Sequence, residues 1–488
     1  MRHLTDRRPE RLGDEAPVNI GAARSGELVS ARTVFELETL RGRPYGRASL
    51  LAVTQPPADS PPGTAQPSGT GQPRPTLPIL YALGFLAFFM FGLVQAGYGP
   101  AYPNLGREYA QPLATVGITS SLHFVGSAVG TALLGVLLTR LSLRSSLMLG
   151  GVTLLLGLLG VAFAPAWALV LVSAVVGGLG YGTLSAGFNL AFAQLGPGPS
   201  NLVNGLFGVG SVVSPLLVTL LARGSHAPPF VLMGVMAALL ALGIRLLWPR
   251  SADPLEAEAE TAATEPSYRT LPAAPGSHRP LALFGLCFFL YVGIEAGLGN
   301  WATTYFLRQG AAQAALLTSF YWLALTLGRF VFAALGSRFT PMSVLIFATG
   351  GAMLGCGLML LGGPGPGPGA LMPDGLISSA PLPAWLAPAG LILAGFCIAP
   401  VFSSQLAWFA RTQPPRLLPY MLTLGGVGGA LLPALTGLAL PRLGVTSVPL
   451  APLIIAALLL GSALLLNRTL RRQSLLRHTR KRARPQIP

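Results

Sequence analysis

Twelve stretches of this chain are apolar for about 20 to 28 residues at a time, and each is long enough to cross a hydrocarbon core of roughly 30 Å as a helix. Six come before the middle, over about 78–103, 113–138, 145–164, 166–194, 200–222 and 229–248. Six follow it, over about 280–306, 312–336, 342–362, 384–410, 416–440 and 447–467. The predicted fold is an all-α membrane protein with twelve transmembrane helices in two six-helix pseudo-repeats. Only 10% of the residues are charged, against about 25% in a soluble domain. The remaining chain divides into a disordered polar extension over 1–77, a cytoplasmic linker over 249–279 and a basic cytoplasmic tail over 468–488. The bundles between them occupy 78–248 and 280–467. The PGPGPG run at 364–369 is expected in the loop between the ninth and tenth spans.

A formal charge of +16 invites a nucleic-acid reading, but that needs a clustered basic face on a folded domain. Here the arginines sit in tails and short connections, as in a polytopic membrane protein. The basic tail and linker outweigh the basic residues of the opposite loops, which places both termini in the cytoplasm. The cysteines Cys287, Cys356 and Cys397 lie within apolar runs, where they read as small buried hydrophobes.

The two halves echo each other. QAGYG at 95–99 matches EAGLG at 295–299, which pairs Gln95 with Glu295. The run at 120–142 aligns with 318–340 and pairs Gly130 with Gly328 and Arg140 with Arg338. GVGSVVSPLL at 208–217 aligns with GGVGGALLPAL at 425–435 and pairs Pro215 with Pro433. Three matches in order imply an internal duplication, and duplicated halves joined by a polar linker imply a secondary transporter with its site between them.

The chain resembles the major facilitator superfamily over 78–467, and within it the fucose permease-like sugar–proton symporters. GPAYPNL (99–105), GVLLTRLSLRSS (135–146), NLVNGLFGVGSVVSPLL (201–217), YVGIEAGLGNWATTYF (291–306) and FYWLALTLGR (320–329) carry the resemblance. It implies alternating-access transport of a small polar solute, with a sugar as the expected kind, coupled to protons, by a chain that functions as a monomer in the bilayer. Three positions depart from the pattern. Thr139 stands where the loop between spans two and three carries an aspartate, and Gln95 and Ser185 stand where spans one and four carry acids. A drug or metabolite efflux antiporter of the same superfamily is the alternative, on the strength of GVGSVVSP.

An ionisable group at membrane depth costs at least about 2.5 to 3.5 kcal/mol, so the few present need a reason. Glu295 and His123 are the expected proton-coupling groups, and Arg329, Arg140 and Arg338 the structural or gating charges. Counted along each helix, Arg329 is expected about 10 Å nearer the inner face than Glu295. Sugars present hydroxyls and apolar ring faces, so their sites use amides and aromatic platforms. Those expected here are Gln95, Tyr98, Asn189, Asn204, Asn300, Trp301, Tyr321, Gln405 and Trp408. No HExxH, GxSxG, P-loop or paired CxxC occurs, so no enzymatic activity, cofactor or metal is expected.

Overall fold

The structure, a computed structural model, describes residues 77–195, 197–248, 278–335, 338–362, 383, 385–414 and 417–482. The expectations for residues 1–76, for 249–277, for the run at 364–369 and for the final six residues lie outside the described residues. The described part carries twelve long helices. In the first half they are α1 (Leu77–Glu108), α2 (Leu113–Leu137), α3 (Leu143–Phe163), α4 (Trp167–Gln194), α5 (Pro197–Leu221) and α6 (Ala227–Leu247). In the second half they are α7 (His278–Arg308), α8 (Ala314–Leu335), α9 (Pro341–Leu361), α10 (Leu386–Thr412), α11 (Leu418–Leu443) and α12 (Ser447–Arg482).

Local chemistry sets the breaks. α2 is interrupted at Gly117 and α10 at Ala399–Pro400, where the proline nitrogen has no proton to donate to the helix ladder. Length and hydropathy alone give eleven membrane-length stretches, because the last runs unbroken over Tyr420–Gln473. Gly444, at φ +60°, turns the chain within it and separates α11 from α12. α12 continues past the expected end at 467 to Arg482, since leucine, arginine and glutamine are good helix formers even when charged.

The duplication is visible in three dimensions. Ser142 caps α3 by accepting from the Ser145 amide, and Thr340 caps α9 by accepting from Ser343, both at 3.2 Å. Gly210 of α5 lies so close to α1 that a Cβ would stand 2.1 Å from the Phe89 carbonyl oxygen. Its counterpart Gly428 of α11 stands at 1.9 Å from the Phe289 oxygen of α7. Gly130 against Leu179 on α4 repeats as Gly328 against Phe396 on α10. Small residues let membrane helices approach at backbone distance, and here they do so twice in one register.

The halves meet along α1–α7, α2–α11 and α5–α8. The last two exchange under a pseudo-twofold axis running along the bundle, the relation expected of parallel repeats. Antiparallel contacts such as Gly205 with Phe330 and Gly426 with Ala128 hold the two lateral seams. Large apolar side chains face outward, among them Leu239, Leu458 and Phe347, the last 73% exposed. An apolar exterior around a core with buried serines, threonines and histidines suits a lipid solvent. The chain is a multi-pass integral membrane protein.

Candidate functional site

α7 is buried along most of its length, so polar side chains on it need partners from its neighbours. Glu295, midway along, is 8% exposed. Arg329 of α8 donates to both carboxylate oxygens, at 3.1 and 3.0 Å. Tyr291, one turn earlier on α7, donates its hydroxyl to Glu295 Oε2, and Arg329 also reaches that hydroxyl at 3.4 Å. Tyr321 of α8 donates to the Glu295 main-chain carbonyl at 3.0 Å.

The ion pair corrects the expected 10 Å offset between Glu295 and Arg329. α7 and α8 are antiparallel and share a loop. Glu295 lies thirteen residues before Arg308, where α7 ends, and Arg329 fifteen after Ala314, where α8 begins. Their heights therefore differ by about 3 Å, and the arginine stem spans the rest. The Arg329 side chain remains 37% exposed, so one member of the pair reaches the solvent-accessible space of the bundle.

In the first half, the Tyr98 hydroxyl lies 3.2 Å from His123 Nδ1. The His123 ring also packs on Tyr181, with centroids 5.3 Å apart. His123 is 2% exposed, and its Nε2 has no partner in hydrogen-bond geometry among the described residues. Gln95, in the position equivalent to Glu295, is half-buried and makes no hydrogen bond among the described residues.

At the end of the bundle that carries the α1–α2 and α7–α8 loops, the halves are pressed together. A Cβ on Gly99 would stand 2.2 Å from the Asn300 carbonyl oxygen, and one on Gly117 2.4 Å from the Trp301 ring. Trp301 packs on Tyr102 at 5.1 Å and donates its indole N–H to the Pro433 carbonyl at 2.9 Å. Toward the opposite, terminal end, where α1 begins and α12 finishes, Asn189 and Asn204 are exposed. Each donates only to its own helix, at Ser185 and Ser200. The bundle is thus closed at the loop end, while polar groups are accessible nearer the terminal end.

Gln405 and Trp408 are both buried on α10, where Gln405 Nε2 donates to the Cys287 carbonyl at 3.3 Å and Trp408 packs on Phe284. Arg140 and Arg338 stand exposed beyond the ends of α2 and α8. The structure brings Glu295, Arg329 and Tyr321 together, and Tyr98 with His123. Asn300 and Trp301 gather at the loop-end seam, while Asn189 and Asn204 stand apart. Tyr291 escaped the sequence reading, although its place four residues before Glu295 puts it on the same helix face. The pair of Glu108 and His226, with Nδ1 and Oε2 2.6 Å apart, joins residues 118 positions apart and leaves no local signal.

Comparison with known proteins follows the same architecture. The Major Facilitator Superfamily model matches residues 84–418. The glucose/mannose transporter GlcP of Bacillus subtilis is 22% identical over 277 residues, which cover 55% of this chain and 69% of that protein. Among solved structures, a D-xylose-proton symporter superposes with a TM-score of 0.59 at 14% identity, covering 79% of this chain and 97% of its own. The nucleoside transporter NupG superposes with a TM-score of 0.58 at 16% identity, covering 80% and 98%.

Proposed function

This chain belongs to the major facilitator superfamily and is therefore a secondary transporter rather than an enzyme, and we propose that it carries a small neutral polar solute of the sugar class together with protons. The observation that carries the reading is the buried Glu295, paired with Arg329 and Tyr291 at the height where the halves face each other. The likeness to a glucose/mannose transporter and to a xylose–proton symporter supports the same solute class.

The geometry gives each group a task. In the ionised state Glu295 neutralises Arg329 and ties α7 to α8. A proton on Glu295 removes the charge that Arg329 balances, and the guanidinium must then turn to water or to solute hydroxyls. Breaking a buried pair costs about 3–5 kcal/mol, and the partial exposure of Arg329 reduces this to about 1–3 kcal/mol through solvent screening. That range tilts a two-state equilibrium by about 5- to 150-fold. Tyr321 and Gln95, on the facing helices, offer hydroxyl and amide groups to the solute. Asn189 and Asn204 line its path toward the terminal end. Asn300 and Trp301 meet the solute when the loop end opens. Tyr98, Gln405 and Trp408 shape the walls behind these groups. His123, against Tyr98, is a second proton acceptor on the first half, and Arg140 and Arg338 act at the membrane surface. The bundle works as a monomer with both termini cytoplasmic, so the terminal end faces inward and the conformation described is inward-facing.

The test is uptake into proteoliposomes of labelled glucose, xylose and uridine, with and without an imposed proton gradient. Saturable monosaccharide uptake that rises with the gradient and collapses with an uncoupler is the expected result. Uridine uptake without sugar uptake would overturn the solute class, and gradient-driven extrusion of dyes without sugar uptake would favour the exporter.

A further inference from the structure

The loop end holds a recess of about 400 Å³ on the seam between the halves, lined by Pro103, Gly106, Arg107 and Gln111 from the first and by Thr304 and Arg308 from the second. We propose that it binds an oxyanion, a phosphate or carboxylate group held between the guanidinium groups of Arg107 and Arg308, and that this anion locks the loop end shut.

Both arginines are exposed in the last turn of a helix, Arg107 on α1 and Arg308 on α7. Among the described residues, no carboxylate lines the recess. The adjacent acid, Glu108, is occupied elsewhere: it accepts from the His226 main-chain N–H at 2.6 Å, faces His226 Nδ1 at 2.6 Å and accepts from Ser225 at 3.4 Å. Arg107 has only the neutral Asn104 as a partner, and Arg308 makes no hydrogen bond or ion pair among the described residues. Closure thus brings two cations, one from each half, to the wall of one space without a counter-charge. Like charges converging on a recess oppose closure, and an anion between them reverses the sign of that term. Guanidinium groups bind oxyanions through two parallel N–H donors, and the volume is ample for a phosphate carrying an organic group.

The site exists only while the seam is shut. The contacts that bring α1 to α7, Gly99 on Asn300 and Tyr102 on Trp301, are the ones that must part when the loop end opens, and parting them separates the two arginines. A ligand that binds one of two conformations shifts the population toward it. The anion therefore acts as a brake, holding the transporter in the state closed at this end whatever solute it carries. It comes from solution or from a lipid headgroup.

Inorganic phosphate titrated at constant ionic strength into protein in phosphatidylcholine nanodiscs tests the proposal. A saturable rise in melting temperature of about 2–4 °C is expected. It should persist in Arg223→Gln, which removes a loop-end charge outside the recess, and vanish in Arg107→Gln and Arg308→Gln. A rise seen only with phosphatidylglycerol in the nanodisc, and lost in the same two variants, also supports the site and identifies a headgroup as its source. Equal shifts in all variants, or no shift with either anion, would overturn it. A second readout needs neither arginine variant. In an Ala114→Cys protein, phosphate or phosphatidylglycerol should slow labelling by an impermeant maleimide added at the loop end about tenfold, and unchanged labelling with both would also overturn the proposal.

Discussion

Replacing Trp301 with alanine should open the loop end. The side chain is fully buried, with Tyr102 and Gly117 of the first half on one side and Pro433 and Gly437 of the second on the other. A buried aromatic side chain removes roughly 150–250 Å² from solvent, which at about 25 cal/mol per Å² amounts to about 4–6 kcal/mol. About half of that contact crosses the seam and is lost when the halves part into a water-filled mouth. The closed state should therefore lose about 2–3 kcal/mol, a shift of roughly 30- to 140-fold toward the open one. Ala114, 9% exposed in the first turn of α2 and against Gly437, is the reporter. In Ala114→Cys protein, impermeant maleimide should label the Trp301→Ala variant at least about 30-fold faster than its parent. Equal rates would refute the assignment of Trp301 as the clamp.

Further outcomes follow from the same contacts. Gly428→Val, whose first side-chain atom meets the Phe289 carbonyl, should lower thermal stability by about 1–3 kcal/mol through overpacking. Gly461→Ala, with open space around it, should leave the melting temperature unchanged or slightly raised. His226→Leu removes the ring that faces Glu108 Oε2 and strands the Val161 carbonyl, so detergent melting should show a loss of about 1–3 kcal/mol. A double-mutant cycle of Glu295→Gln and Arg329→Gln, read by thermal unfolding, should give a coupling of about 1–3 kcal/mol. A value indistinguishable from zero would make the pair incidental.

The helices and their duplication were legible because both rest on local pattern. Apolar length marked the spans, and the aligned runs that pair Gly130 with Gly328 and Pro215 with Pro433 carry glycines that the structure places at the close approaches within each half. Heights across the bundle were harder to read. Arg329 looked remote from Glu295 because both were counted from the inner ends of helices that differ in length, 31 residues against 22, whereas counting from their shared loop places them side by side. Tyr291 was legible in principle from its spacing to Glu295. Glu108 with His226 was not, since the contact depends on how α1, α3 and α6 converge. Trp301 shows how a residue's setting depends on conformation. The sequence offers an aromatic platform, and in this state Gly117 and Gly437 occupy its faces.

Transport by Glu295→Gln in proteoliposomes tests the central claim, that solute movement is coupled to a proton carried at this carboxylate. The amide keeps the shape of the side chain and an oxygen for Arg329 and Tyr291, but it cannot titrate. The variant should still exchange labelled solute across the membrane at equilibrium, and it should fail to concentrate solute when an inward proton gradient is imposed. Accumulation by Glu295→Gln to the level of the native protein, under the same gradient, would contradict the account.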